Sequence, residues 1–196
     1  MSDAVIDVPW SDGTWTRPPV AVDHDGPDLL VTAAQGSDAW RHTAYGFVHD
    51  DAHGLLSPLP AEAAVEVTFT AAFTDQFDQA GVLLRADEET WVKAGVEYAD
   101  GVPQVGAVVT LGRSDWSVRP VPEWAGRRVT VRLSRSGDAV TIRARADDEP
   151  FTLLRVAPFP AGLAADAGPF CCAPTRSGLT VRFHGWQTGP PDATLH

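Results

Sequence analysis

Cysteine is nearly absent from this chain, and its two copies, Cys171 and Cys172, are adjacent. Neighbouring cysteines seldom bridge each other and no third exists, which excludes a disulfide framework. Lysine is scarcer still: of 15 basic residues, Lys93 is the sole lysine and the rest are arginine. Acidic residues number 26, the formal charge is −11, and no run of Lys and Arg occurs. Such a chain is a poor match for nucleic acid or an anionic membrane surface. No apolar stretch approaches the roughly 18 residues of a membrane span. No positive N-terminal start leads into an apolar h-region, so the expected location is cytoplasmic. Gly-x-Ser-x-Gly, P-loop and dinucleotide fingerprints are missing as well, and no cofactor is expected.

The apolar share of 44% is ample for a core. Short alternating runs recur at 29–33, 64–73, 80–85, 91–98, 104–111, 128–133, 139–146, 151–156, 170–173 and 179–186. Turn signals such as Asp100-Gly101, Ser136-Gly137-Asp138 and Ser177-Gly178 separate them. Only 161–167 reads as a short helical turn. The pattern predicts one all-β domain over 1–196, a jelly-roll sandwich of two antiparallel sheets. Residues 1–27 read as an irregular leading segment and 188–196 as a tail.

Two runs keep polar groups on one strand face. In 79–85 and 91–97 the apolar set is Ala80, Val82, Leu84, Val92, Ala94 and Val96. The other face carries Gln79, Arg85, Trp91, Lys93 and Glu97, with Gly81 and Gly95 between them. A chain that otherwise uses arginine suits Lys93 to a place needing a compact ammonium. Matching the apolar faces sets the register, because a one-residue slip would invert every side chain. That register puts Arg85 opposite Trp91, Leu83 opposite Lys93, Gly81 opposite Gly95 and Gln79 opposite Glu97. The next run then pairs Glu97 with Gln104, Gly95 with Gly106, Lys93 with Val108 and Trp91 with Thr110. Gly81, Gly95 and Gly106 would form a row, either as a shallow ligand hollow or as a bend in the sheet.

Four segments resemble one known family. They are Ser37-Asp38-Ala39-Trp40-Arg41-His42-Thr43-Ala44-Tyr45-Gly46-Phe47, the run from Phe77 to Arg85, Trp91-Val92-Lys93-Ala94-Gly95-Val96-Glu97, and Ser114-Asp115-Trp116-Ser117. In this order they are similar to the domain of unknown function 1349 family, which includes the fungal regulation-of-enolase protein. The resemblance implies a concanavalin A-like lectin/glucanase jelly roll. The second segment is also similar to a β-sandwich domain appended to some β-xylosidases, which makes carbohydrate the implied ligand by fold analogy. The family supplies no catalytic set to transfer. Ala39 stands where the family usually has an aromatic.

The Glu-x-Asp-x-x-Glu strand of jelly-roll glucanases is missing, leaving Glu97 as the one carboxylate on the predicted face. Asp78 and Asp115 are its loop neighbours. Glu97 is a candidate general base, or else a neutraliser of Lys93 or Arg85. Lys93 and Glu97 stand ~13 Å apart along one strand, too far to pair directly. Trp40, Tyr45, Trp91 and Trp116 offer flat faces to a sugar ring, or serve as core anchors. His49 and His53 have a helix-like ligand spacing but fall in a loop, so no metal is expected. Cys171 and Cys172 should face opposite sides, one toward the core, with small-core packing favoured over a nucleophile beside His42 or His184. The expected function is binding of a small carbohydrate, sugar acid or similar polar metabolite on a concave sheet. The alternatives are an enzyme using Glu97 and Lys93 as acid–base or electrostatic groups, and a regulatory protein-interaction domain.

Overall fold

In the computed structural model, which describes residues 5–195, the alternating runs become strands of two large antiparallel sheets. Positions 1–4 and 196, the outer ends of the expected leading segment and tail, lie outside the described residues. The first strands are β1 (Ile6–Asp7), β2 (Thr14–Trp15), β3 (Ala21–Asp25), β4 (Asp28–Thr32), β5 (Ala39–Arg41) and β6 (Val48–Asp50). Next come β7 (His53–Leu59), β8 (Ala63–Thr70), β9 (Gln79–Arg85), β10 (Thr90–Ala99), β11 (Val102–Leu111) and β12 (Arg113–Pro120). The last are β13 (Arg128–Ser136), β14 (Ala139–Ala146), β15 (Thr152–Pro158), β16 (Ala165–Cys172) and β17 (Thr180–Gly189). One sheet has the order β15-β14-β13-β8-β17-β4-β3, with β1 added against β17. The other, which carries the site, has the order β12-β11-β10-β9-β16-β7-β2. The β5–β6 hairpin is a separate two-stranded element.

Alternation explains the sandwich. Val65, Val67, Phe69, Val129, Val131 and Leu133 of one sheet meet Val82, Leu84, Val92, Ala94, Val96 and Val105 of the other in a continuous dry core. Each large side chain removed from water there stabilises the fold by about 1.5–3 kcal/mol. A second, smaller core lies on the far side of the site sheet. Leu83, Trp91, Val108, Phe170 and Cys172 pack there beneath Ala39 and Trp40 of the hairpin. The site sheet therefore buries apolar groups on both faces, and strict alternation describes only its inner one.

Three expectations about the ends and turns need correction. The leading segment is built of short edge strands rather than irregular chain: β1 pairs with β17, β2 with β7 and β3 with β4. Strands of two residues are too short to show a period. The helical turn expected over 161–167 is absent, because 165–167 already pair in β16 with β7, and 166 and 167 with β9 as well. Pairing on two sides outweighs the helix preference of alanine. The tail begins later than position 188, since β17 runs to Gly189. Beyond it, the Asp192 carboxylate accepts from Arg132 Nε at 2.7 Å and also meets Arg143.

Candidate functional site

The register across β9, β10 and β11 matches the reading of the alternation. Lys93 faces Leu83 and Val108, Glu97 faces Gln79 and Gln104, and Trp91 faces Arg85 and Thr110. Gly81, Gly95 and Gly106 stand in one row. Their role is close backbone approach. A Cβ at Gly81, Gly95 or Gly106 would sit 2.0 Å from the carbonyl oxygen of Ala94, Ala80 or Ser117 respectively. The hollow directly over this row is only about 20 Å³, too small for a sugar. The larger space lies beside it, where the hairpin rises over the sheet.

That space is a cavity of about 340 Å³. Gln79, Lys93, Glu97 and Val108 form its floor, Trp116 one side, and Trp40, Tyr45, Phe47 and His49 the hairpin wall. Gly36, Asp38, Phe77 and Pro174 complete the lining. Several ties hold the hairpin in place. The Arg41 backbone N–H donates to Ser114 Oγ at 2.9 Å, and Ser114 in turn bonds the Thr110 hydroxyl at 2.8 Å. The Arg85 guanidinium grips the Asp50 carboxylate through both nitrogens, at 2.5 and 3.1 Å. Asp38, just before β5, reaches down to the floor.

There the Lys93 ammonium donates to Asp38 Oδ1 at 2.8 Å and to Gln79 Oε1 at 2.7 Å. Burial works to lower the Lys93 pKa, but Asp38, Cys172 and Glu97 outweigh it and hold the value above that of ordinary lysine. Lys93 is a fixed cation. Asp38 Oδ1 also accepts the Ala39 N–H at 2.7 Å. Glu97 is different. Among the described residues its half-buried carboxyl has no hydrogen-bond or ion-pair partner. Burial pushes its pKa up to about 7, against the pull of Lys93 and with a further push from Asp38. Near neutral pH this carboxyl is poised between acid and base.

Six of the expected residues meet at the cavity: Trp40, Tyr45, Gln79, Lys93, Glu97 and Trp116. The other five have structural roles. Trp91, 1% exposed, is a core anchor under the hairpin. Arg85 is spent on Asp50 and Thr110 on Ser114. Gln104 donates to the Ala99 carbonyl at 2.9 Å, bracing the β10–β11 turn. Asp115 alternates away from its neighbour Trp116 and pairs with Arg155 at 2.8 Å. Asp78 is enclosed by Arg176. Arg85 is held by Asp50 and Lys93 by Asp38, so among the described residues neither is left unpaired near the cavity.

Sequence reading missed Asp38, Phe47, Phe77 and His49 as cavity residues. The available signal was the hairpin segment itself, where an acidic residue precedes Trp-Arg and an aromatic cluster follows. The two spaced histidines diverge. His53 accepts the Ala34 N–H at Nε2, so its Nδ1 donates to the Arg17 carbonyl, and it is a neutral structural residue. His49 instead lines the cavity. The cysteines divide as their alternation implied, Cys171 into the main core and Cys172 beneath the hairpin. Burial raises both thiols, Cys171 to about 12 and Cys172 well above the ordinary value. Neither is an activated nucleophile.

Two antiparallel sheets with a ligand-sized cavity on the outer face of one define a concanavalin A-like jelly roll. The chain belongs to the family described as "Protein of unknown function (DUF1349)", whose profile matches residues 15–191. It is 33% identical over 187 residues to Regulation of enolase protein 1 of Saccharomyces cerevisiae, covering 95% of this chain and 94% of that protein. Two solved structures share the fold at 12% identity. The xylan β-1,4-xylosidase of Bacillus halodurans superposes with a TM-score of 0.63 over 83% of this chain and 32% of that one. Lectin I-B4 of Griffonia simplicifolia superposes with a TM-score of 0.57 over 91% of this chain and 93% of that one. Among the described residues no helix is long and apolar enough to cross a membrane.

Proposed function

We propose that the cavity binds a small neutral polyhydroxylated ligand, a sugar or a closely similar metabolite. The observation that carries this reading is the polar floor between aromatic walls. Lys93 uses two of its three N–H donors, and among the described residues Asp38 Oδ2 and both Glu97 oxygens have no partner. One spare donor beside free acceptors suits adjacent hydroxyl groups, each of which both gives and takes a hydrogen bond. Trp40, Tyr45 and Trp116 supply flat faces for the C–H side of a ring. The floor pairs Lys93 with Asp38 and holds Glu97 half-protonated, so neutral sugars are favoured over sugar acids and phosphates. The likeness to a xylosidase and a lectin agrees with this ligand class, as a likeness of fold.

The reading also takes the protein to be cytoplasmic, in keeping with two buried free thiols. A regulatory contact with another protein is the second reading. It draws on the relative's name and on the exposed Tyr45, Phe47 and Val48 of the hairpin.

A thermal-shift screen with neutral sugars, sugar acids and phosphates tests the proposal. Neutral sugars should raise the melting temperature, and Trp116→Ala, at an exposed position, should reduce that shift without lowering the unliganded value. Absence of any shift, or equal shifts in Trp116→Ala, would overturn it.

A further inference from the structure

Lys93, held as an ammonium, and the buried thiols are closed to covalent chemistry, so what the cavity can offer a ligand is proton transfer. Glu97 rises from the floor strand β10. His49 lines the same cavity from the hairpin, where it pairs with Trp40 in the β5–β6 register. The His49 Nδ1 lies 3.7 Å from Asp51, and among the described residues Nε2 has no hydrogen-bond partner. Asp38, the other carboxylate, is already engaged through Oδ1 by the Lys93 ammonium and the Ala39 N–H.

We propose that this cavity catalyses interconversion of the two anomers of a reducing sugar, with Glu97 as general acid and His49 as general base. The inference rests on the binding reading above. His49 Nε2 takes the proton of the anomeric hydroxyl, and its oxygen becomes the carbonyl oxygen of the open chain. The bond from C1 to the ring oxygen breaks, its electron pair goes to that oxygen, and Glu97 supplies the proton. Rotation about C1–C2 presents the other carbonyl face. Reclosure reverses both transfers: the Glu97 carboxylate takes the proton of the attacking hydroxyl, and protonated His49 returns its own to the carbonyl oxygen. All bonds and protons balance, and no oxidant, reductant or second substrate is needed. The spare Lys93 N–H favours the negative charge developing on the sugar oxygen.

The probes are D-glucose, D-galactose and D-xylose, with anomer exchange followed by NMR and binding measured separately by saturation transfer. The protein should accelerate exchange of at least one sugar above the buffer rate. The acceleration should decline above about pH 7, as Glu97 loses its proton. Glu97→Gln and His49→Gln should each lose about a hundredfold in rate and far less in binding, a split that a merely structural role would not give. Thermal melts of both variants check that each is folded. Binding without acceleration would overturn this inference and leave the binding reading intact. No binding to any sugar would sink both. Deuterium uptake at C2 in heavy water would overturn it in favour of aldose–ketose isomerisation, and unchanged rates in either variant would overturn it as well.

Discussion

The Lys93 ammonium lies 2.8 Å from Asp38 Oδ1, joining the sole lysine of the chain to the segment that begins the hairpin. This pair carries a mechanical load as well as a charge. Removing one partner leaves the other uncompensated in a largely dry place, at a cost of about 3–5 kcal/mol. Lys93→Met should therefore destabilise strongly. Lys93→Met combined with Asp38→Asn should recover much of the loss, and urea unfolding of the two single variants and the double measures the coupling.

Glu97 should make stability depend on pH in an unusual direction. Its folded pKa is about 7 against an ordinary 4.5, so the native state holds this proton more tightly than the unfolded chain does. Its contribution is complete below about pH 4.5 and is lost as pH rises through about 7. Glu97→Gln removes that loss. The variant should match the parent at pH 5 and exceed it by about 2 kcal/mol at pH 8, a figure already discounted for water at the cavity mouth. Melting curves at the two pH values decide it, and equal stability at pH 8 would refute the placement of this carboxyl.

The tryptophans should separate cleanly. Trp91 is 1% exposed and Trp116 is 39% exposed. Trp91→Ala should cost about 3–5 kcal/mol by opening a cavity under the hairpin. Trp116→Ala should leave stability within about 0.5 kcal/mol and weaken the ligand about tenfold. Denaturant unfolding and ligand titration, applied to both variants, test the contrast.

Glycine row positions differ from other strand glycines in a way that substitution exposes. At Gly95 an added Cβ meets the Ala80 carbonyl oxygen at 2.0 Å, whereas at Gly185 nothing lies within 4 Å. Gly95→Ala should cost about 3 kcal/mol or more, while Gly185→Ala should be neutral or slightly stabilising. Comparable costs at the two positions would contradict the close approach of β9 and β10.

How much of this was readable follows from the kind of signal each residue carries. The pairing of Lys93 with Leu83 and Val108 was legible because alternation fixes register, and register fixes neighbours along whole strands. Asp38 and His49 were not, because a hairpin folded over a sheet face obeys no period shared with the strands beneath. For the same reason the choice for Trp91 between sugar face and core anchor stayed open. On an open sheet its face would meet water, and only the hairpin turns that face into a second core. Asp115 was misplaced more simply, since it borders Trp116 in sequence but alternates to the other side.

The hairpin base covers Leu83, Trp91, Val108 and Phe170. Swinging it away would return those four side chains to water at roughly 1.5–3 kcal/mol each, more than a small ligand readily repays. Its tip is another matter. His42, Ala44 and Gly46 there hold positive φ angles, and Tyr45 stands 59% exposed beside the opening. A ligand bound as proposed would enter by a turn of the aromatic rings at the rim. The wall would keep its place throughout, and the polar floor would meet that ligand already arranged.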